Sequence, residues 1–560
     1  MGSLPVRLLH ALGQRSRTRA AREFESAARD PRAAQAAVLR TILSRNAETE
    51  YGRKVGLRAD LAGEEYARRV PLMTPTDLQP WVTRQMKGER NLLTADPPVY
   101  YVRTTGSTGE PKHVPITTSY RAEFQKTVHV ALWHLYRRFP EAFHSRALYA
   151  VGSRKVARAD DGNDVGTMSG YNFTELPALI RAVYAWPYGL FDVKDLRSRS
   201  FLSLLLGTLG DPSLIAGIFP APIVYMLRDL EQHAGALAET LRRGTLPGNL
   251  DLTPEQWAFF AARVRRAPGA AERLERAAAA PVGDKAARAW PSLRLVYCWN
   301  TATAALYLPE LSQRLGPGVA IRDAIYSACE GWCSIPMGDA EPGGALAVTS
   351  HFFEFMDEAE FERGGSATRP AWELQDRHRY YIVFTTSAGL YRYMLGDLVE
   401  VCGFHHATPR IRFVRKGGAA SNVAGEKLEE VHANDAVGAA LKEAGLLATF
   451  FTLAPDWSGS TPCYAFYVEP APGSAARPPA DFQALAEKVD AGLARVSFDY
   501  GRLRGGAQLG PVRLRLLPAG TYDKVRQARV ADGSAEAQLK TAHLVGDAAQ
   551  LPAPIRDAAG

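Results

Sequence analysis

The sequence predicts a mixed α/β (α+β) protein with a large N-terminal domain and a small α+β C-terminal lid, and three observations carry that prediction. Helix-favouring segments alternate with short apolar, β-prone runs as far as Tyr326. Closely spaced strand patterns over 380–414 read as a β-meander. Beyond Lys416-Gly417-Gly418 the texture changes, and the segments fall in the order αββαβα, which suits a separate small domain rather than an extension of the large one. At 560 residues, 46% of them hydrophobic, the chain can bury a large core and fill more than one domain. The expected division is 1–414 for the large domain, 415–418 for a hinge and 419–560 for the small domain.

In chain order, 19–45 is rich in Ala and Arg and reads as helix interrupted at Pro31, with 46–52 as its stop. Short strands at 99–102 and 114–116 flank a glycine-rich connection. Thr118 or Ser119 can cap the following helix, on which Phe124, Val128, Leu132 and Leu135 share a face. The most apolar region, 201–227, is broken by Asp211, Pro212, Pro220 and Pro222. It therefore lacks the roughly 20-residue uninterrupted span of a membrane helix and reads as a buried wall. An Ala-rich, charged surface helix is expected over 268–288, then strands at 295–299 and from Val319 towards Tyr326. Within the meander, strands at 381–384, 390–394, 399–402 and 411–414 are separated by turns at Ser387-Ala388-Gly389 and Gly396-Asp397. The small domain reads as a helix near 426–445, strands at 449–453 and 463–468, a helix over 481–496, a strand at 512–517 and a last helix near 522–530.

The net charge of +8 is spread over 67 basic and 59 acidic residues, with no long Lys/Arg block interleaved with aromatics. Nucleic acid is not indicated, and mild attraction to anionic small molecules explains the balance as well. Five cysteines, of which only Cys329 and Cys333 lie close together, fit a reduced cytoplasmic protein better than a disulfide scaffold or zinc module. The first residues carry scattered arginines and a short apolar piece, without an export signal.

Three stretches could carry chemistry. Thr104-Thr105-Gly106-Ser107-Thr108-Gly109-Glu110-Pro111-Lys112 sets two hydroxyls, Gly, two hydroxyls and Gly before Pro and Lys. Glycines let the backbone approach a ligand, and successive N–H groups and hydroxyls can converge on anionic oxygens, so the stretch reads as a phosphate cradle. It is not the Walker arrangement, whose Lys directly follows a glycine. Tyr326-Ser327-Ala328-Cys329-Glu330-Gly331 offers an aromatic to stack on a purine and a carboxylate to hold Mg²⁺. By itself it equally describes a buried Tyr and a solvated Glu. Tyr391-Arg392-Tyr393-Met394-Leu395-Gly396-Asp397 places an Asp where it could grip a ribose diol, or simply satisfy its own turn.

In this order and spacing, the three stretches resemble the cradle and the two following motifs of the adenylate-forming superfamily. More narrowly, the chain resembles the auxin-responsive acyl acid amido synthetase family, in its bacterial branch. That likeness rests on Leu390-Tyr391-Arg392-Tyr393 with Gly396-Asp397, on Phe352-Phe353-Glu354-Phe355, on Leu509-Gly510-Pro511-Val512 with Gly520-Thr521-Tyr522, and on Gln538-Leu539-Lys540. It implies an acyl-adenylate ligase fold, with β-barrel and mixed sheets flanked by helices and a mobile C-terminal domain. It also implies ATP and Mg²⁺, a small carboxylic acid and an amine or amino acid as partners, and an ATP-dependent, AMP-forming ligase reaction that makes a C–N amide bond. By the same resemblance Thr104, Thr105, Gly106, Ser107, Thr108 and Gly109 would bind phosphates, and Tyr326 and Ser327 would border the nucleotide. Glu330 would hold the metal and act in catalysis, and Asp397 would hold the ribose. Arg415 would stand on the hinge side of the ATP site, and Lys540 would reach the acyl-adenylate. The acid is expected against the helix after the cradle, with His129, Leu132 and Trp133 as candidates for a largely apolar or aromatic substrate. Two departures stand out: Cys329 replaces the usual Ser or Thr before Glu330, and 417–422 is richer in Gly and Ala than the family pattern. The alternatives are a thioester-forming ligase that passes the acyl group to coenzyme A, and a non-catalytic nucleotide-binding derivative.

Overall fold

The computed structural model describes residues 4–103, 112–338, 340–417, 420–421, 423–424, 426, 428–459, 461–531 and 541–559. Its contacts divide the chain into a larger unit, Met1–Thr301 with Leu311–Phe413, and a smaller one, Ala302–Glu310 with Val414–Gly560. No sequence signal marks the short segment 302–310 as belonging with the C-terminal residues; Leu306 packs against the smaller unit's core.

Among the described residues the larger unit holds three sheets. One is parallel throughout, in the order Ala147–Tyr149, Leu214–Ala216, Leu295–Tyr297, Ala320–Arg322. The apolar stretch expected as a buried wall supplies the second of these strands and parts of the helices Leu196–Gly210 and Pro220–Arg243 on either side of it. Among the described residues no helix is long and apolar enough to cross a membrane. In a second sheet, Pro98–Arg103 pairs antiparallel with His113–Thr117, Arg103 standing opposite His113. The third sheet has eight strands, and its centre is Phe352–Asp357, Arg379–Thr385, Tyr393–His405 and Thr408–Lys416. The helix Pro31–Asn46 is tied to it through the buried Gln35, whose amide donates to Val348 O and His351 O at 2.8 and 2.7 Å and accepts from Phe353 N at 2.7 Å. Buried polar groups are tolerated when satisfied in this way.

Several local readings change. The N-terminal helix begins at Leu4 and breaks at Asp30, which caps the helix starting with Pro31. The expected stop at 46–52 contains the start of another short helix, Glu50–Val55, capped by Thr49. The 268–288 segment is two helices rather than one, Pro268–Ala278 and Val282–Ala289, with Ala271 and Leu274 fully buried on one face and Glu272 and Arg276 exposed on the other, as a charged surface helix requires. The strand expected from Val319 to Tyr326 is cut at Asp323, and its two pieces join different sheets. Gly396-Asp397 is not a reversal but a bulge inside the continuous strand Tyr393–His405, because Tyr381 pairs with Leu398 while Val383 pairs with Met394. Three residues, Leu395, Gly396 and Asp397, thus face Ile382 alone, with Gly396 at φ 75°.

The smaller unit is built on a three-stranded sheet, with Ala448–Asp456 antiparallel and Arg513–Leu516 parallel to the central Cys463–Pro470. Glu430–Ala444 and Pro479–Val496 bury Val437, Leu485 and Val489 over it. The helix Phe498–Gly505 was not anticipated. The helix Thr521–Ala531 starts where Glu469 accepts the N–H groups of Gly520 and Tyr522 at 2.9 and 2.7 Å.

Candidate active site

Two of the stretches singled out above meet in the larger unit. Tyr326–Ser327 and Trp332–Ile335 form an antiparallel hairpin, and Ala328 N donates to Gly331 O at 2.8 Å, which leaves Cys329 and Glu330 at its tip. Gly331 sits in a crowded place, since a Cβ there would stand 3.1 Å from the Phe384 ring and 3.2 Å from His351, and one of those rings would have to give by a few tenths of an ångström. His351 is fully buried, and burial pushes its imidazole down to about 3, so it is neutral. Its Nε2 accepts the Trp332 N–H at 3.1 Å, which assigns the proton to Nδ1. Tyr120 stacks on this ring at 5.6 Å and donates its hydroxyl to Cys329 O at 3.3 Å. The tip is therefore held from beneath by a histidine and a tyrosine far away in sequence.

The tyrosine of each motif donates to the carboxylate of the other. Tyr326 OH reaches Asp397 Oδ2 at 2.7 Å, and Tyr393 OH reaches Glu330 Oε1 at 3.3 Å. Burial, reinforced by Asp397 and Glu330 respectively, pushes both phenols far above their usual range, so both remain donors. The Tyr326 ring lies 5.7 Å from that of Phe413. Asp397 is buried and Ser327 half-buried. A single carboxylate at a hairpin tip fits Mg²⁺, which is usually held by one or two carboxylates together with substrate phosphates.

The strand His113–Thr117, which follows the expected cradle, is held by a two-way link between the Gln79 amide and the His113 backbone, at 3.0 and 3.1 Å. Thr104, Thr105, Gly106, Ser107, Thr108, Gly109 and Lys540 lie outside the described residues. Arg415 belongs to the smaller unit, where it pairs with Glu429 at 2.7 Å beside the start of the helix Glu430–Ala444. His129, Leu132 and Trp133 all lie on the helix Thr118–Arg138 but have different surroundings. Leu132 packs against the cluster of Leu135, Phe143, Leu214 and Leu295, alongside Tyr184 and Tyr297. Trp133 carries the Arg137 guanidinium over its ring at 4.6 Å. His129 is half-buried, and burial, then Arg17, lowers its basicity.

Sequence reasoning passed over Tyr120 and His351, whose partners are more than 200 and about 20 residues away, and also Glu123 on the same helix as Tyr120. Ser387 Oγ donates to Glu123 Oε2 at 2.7 Å, and burial pushes this carboxyl up to about 7. The one available signal was a lone Glu on the helix face that Tyr120 and Thr127 bury.

Comparison with known proteins follows the same outline. Residues 20–321 match the GH3 family N-terminal domain, 344–416 the GH3 family central domain and 431–549 the GH3 family C-terminal domain. The probable indole-3-acetic acid-amido synthetase GH3.4 of Oryza sativa subsp. japonica is 26% identical over 544 residues, which span 91% of this chain and 85% of that protein. The jasmonoyl-L-amino acid synthetase JAR6 of Nicotiana attenuata is 25% identical, spanning 94% of this chain and 93% of its own. The solved structure of GH3.15 acyl acid amido synthetase superposes with a TM-score of 0.84 at 22% identity, covering 96% of this chain and 95% of that one. 2-Hydroxyisobutyryl-CoA ligase with bound 2-HIB-AMP superposes at 0.53 and 12% identity, over 92% and 90% of the two chains. The fold is that of the adenylate-forming enzymes.

Proposed function

This chain belongs to the GH3 family, and from that premise we propose that it is an ATP-dependent acyl acid amido synthetase. A carboxylate oxygen of the acid attacks the α-phosphorus of ATP, the bond to the bridging oxygen breaks, and pyrophosphate leaves. The amine lone pair then attacks the acyl carbon, the bond to AMP breaks, and the nitrogen gives up a proton. No protein nucleophile is needed.

The obstacle in the first step is repulsion between two anions, so the chain's task is to supply positive potential and exclude water. The observation that supports this reading is the crossed pair Tyr326–Asp397 and Tyr393–Glu330, hydrogen bonds across 71 and 63 residues that bring the two carboxylate-bearing segments together. In this proposal Asp397 accepts the ribose hydroxyls while Tyr326 and Ser327 border the nucleotide. Thr104, Thr105, Gly106, Ser107, Thr108 and Gly109 cradle the phosphates. Glu330, oriented by Tyr393, holds Mg²⁺, which when bound offsets phosphate charge. Lys540 brings a compact, flexible cation to the acyl-adenylate, and Arg415 serves on the hinge side. Leu132 faces the acid, with His129 and Trp133 nearby, and its setting beside Tyr184 and Tyr297 favours an apolar or aromatic acid.

The test is a screen of carboxylic acids by pyrophosphate release, followed by product mass with amino acids or with coenzyme A. An amide product with AMP is expected, and a thioester product overturns the reading. Lys540→Ala is expected to abolish pyrophosphate exchange while leaving the melting temperature unchanged; normal exchange in that variant removes the lysine from the scheme.

A further inference from the structure

At the surface of the larger unit, the carboxylate of Glu25 gathers three imidazoles. Its Oε2 lies 3.1 Å from His405 Nε2 and 2.9 Å from His406 Nε2, and its Oε1 lies 3.4 Å from His134 Nε2. Ligand atoms of Glu25, His405 and His406 all fall within 4.8 Å of one another, the one such group of three among the described residues. Adjacent residues of an extended chain point to opposite faces. His405 and His406 nevertheless present their rings to the same oxygen, because His406 turns at φ 52°, a left-handed conformation that few non-glycine residues adopt.

The arrangement is held from outside the cluster. The Phe24 ring lies parallel to His405 at 6.2 Å, and Ala407 N and Thr408 Oγ1 both donate to Ala28 O, at 3.0 and 3.2 Å. The hairpin turn is thereby fastened to the helix Leu4–Arg29 that carries Glu25, and His134 comes from the helix Thr118–Arg138. The side chains of Glu25, His405 and His406 are 26%, 23% and 31% exposed, so solvent ions reach them.

We propose that Glu25, His405 and His406 form a site for a divalent transition-metal cation, best represented by Zn²⁺, with His134 orienting the carboxylate and water completing the set. Two ligands about 2.1 Å from a tetrahedral ion stand about 3.4 Å apart, so the two Glu25–imidazole separations need open by only a few tenths of an ångström, and the two imidazole nitrogens already lie within 4.8 Å of each other. Imidazole with carboxylate is a donor set that suits zinc, copper and nickel rather than Mg²⁺, which separates this site from the carboxylate at Glu330.

The test uses the full, tag-free chain after chelator dialysis, titrated calorimetrically with Zn²⁺ and by visible absorption with Co²⁺. One equivalent of Zn²⁺, a raised melting temperature and the intense visible bands of four-coordinate Co²⁺ are expected. The double variant His405→Ala/His406→Ala is expected to weaken Zn²⁺ binding by more than about 100-fold, and Glu25→Gln and His134→Ala by roughly 10–100-fold. Their metal-free melting curves show that they are folded. No stoichiometric uptake overturns the proposal. So does undiminished binding in the folded double variant, or a near-ultraviolet thiolate-to-cobalt band that places the ion on cysteine.

Discussion

Removing the Arg392 side chain is expected to destabilise the larger unit far more than a surface charge would. Arg392 and Glu354 are 5% and 4% exposed. The guanidinium Nε donates to both carboxylate oxygens at 3.1 and 3.0 Å, and the remaining nitrogens donate to Ala67 O, Val70 O and Thr368 Oγ1 at 2.6, 2.9 and 2.9 Å. Arg392→Ala leaves a buried carboxylate without its counter-charge and two carbonyls without donors, a loss of about 3–5 kcal/mol. Unfolding entropy is about 2.1 cal/mol/K per residue, so for a unit of roughly 400 residues the melting temperature should fall by about 4–6 °C. Intrinsic fluorescence reports on this unit, because Trp457 is the only tryptophan in the smaller one. Glu354→Gln should cost a similar amount, and the double variant Glu354→Leu/Arg392→Met should recover most of it. A single-variant shift below about 1 °C, the behaviour of an exposed pair, would refute the reasoning.

Three further outcomes follow from the same geometry. Glu123 stays protonated in the folded chain up to about 7, against 4.5 unfolded, so its contribution to stability is full below pH 4.5 and is lost as pH rises to 7. Glu123→Gln should therefore match the parent near pH 4 and gain in melting temperature near pH 8, and parallel profiles would contradict this. Gly331→Ala forces a methyl against Phe384 and His351 and should cost about 1–3 kcal/mol, read as a lower denaturant midpoint; an unchanged midpoint means that the hairpin tip moves freely. Asp397→Asn removes a charged acceptor worth about 1.5–3 kcal/mol, so the KM for ATP should rise about tenfold to a hundredfold while that for the acid changes little; equal changes would detach Asp397 from the nucleotide.

What could be read in the sequence was chemistry concentrated in short stretches. Taken singly, the Tyr326–Glu330 and Tyr391–Asp397 stretches read equally well as a buried Tyr and a turn Asp, and it was their order together that set them apart; the structure brings them into contact. The alternation of helices and strands in the smaller unit was legible directly. What could not be read depends on partners distant along the chain. Gln35 looks like any polar helix residue until Val348, His351 and Phe353 come to meet it. The apolar run around Asp323 reads as one strand. In the structure that carboxylate is buried and accepts three backbone N–H groups, from Asn300, Ala324 and Gly343, where the chain passes between sheets. Gly396 correctly signalled positive φ, but whether the strand would reverse or continue there was decided by its neighbour Arg379–Thr385. The stretches around Glu354 and Arg392, noted separately as family marks, prove to be two halves of one ion pair.

The bulge that carries Asp397 has a consequence for how this enzyme can change. Its surplus over the neighbouring strand is an even number of residues, so Met394 and Leu398 still point to the same face. An insertion or deletion of two there could reshape the rim of the proposed nucleotide site and leave the rest of the strand in place. A change of one would invert inside and outside for everything after it, as far as His405. Length variation at this position should therefore come in pairs, a parity rule imposed by the pleat rather than by catalysis.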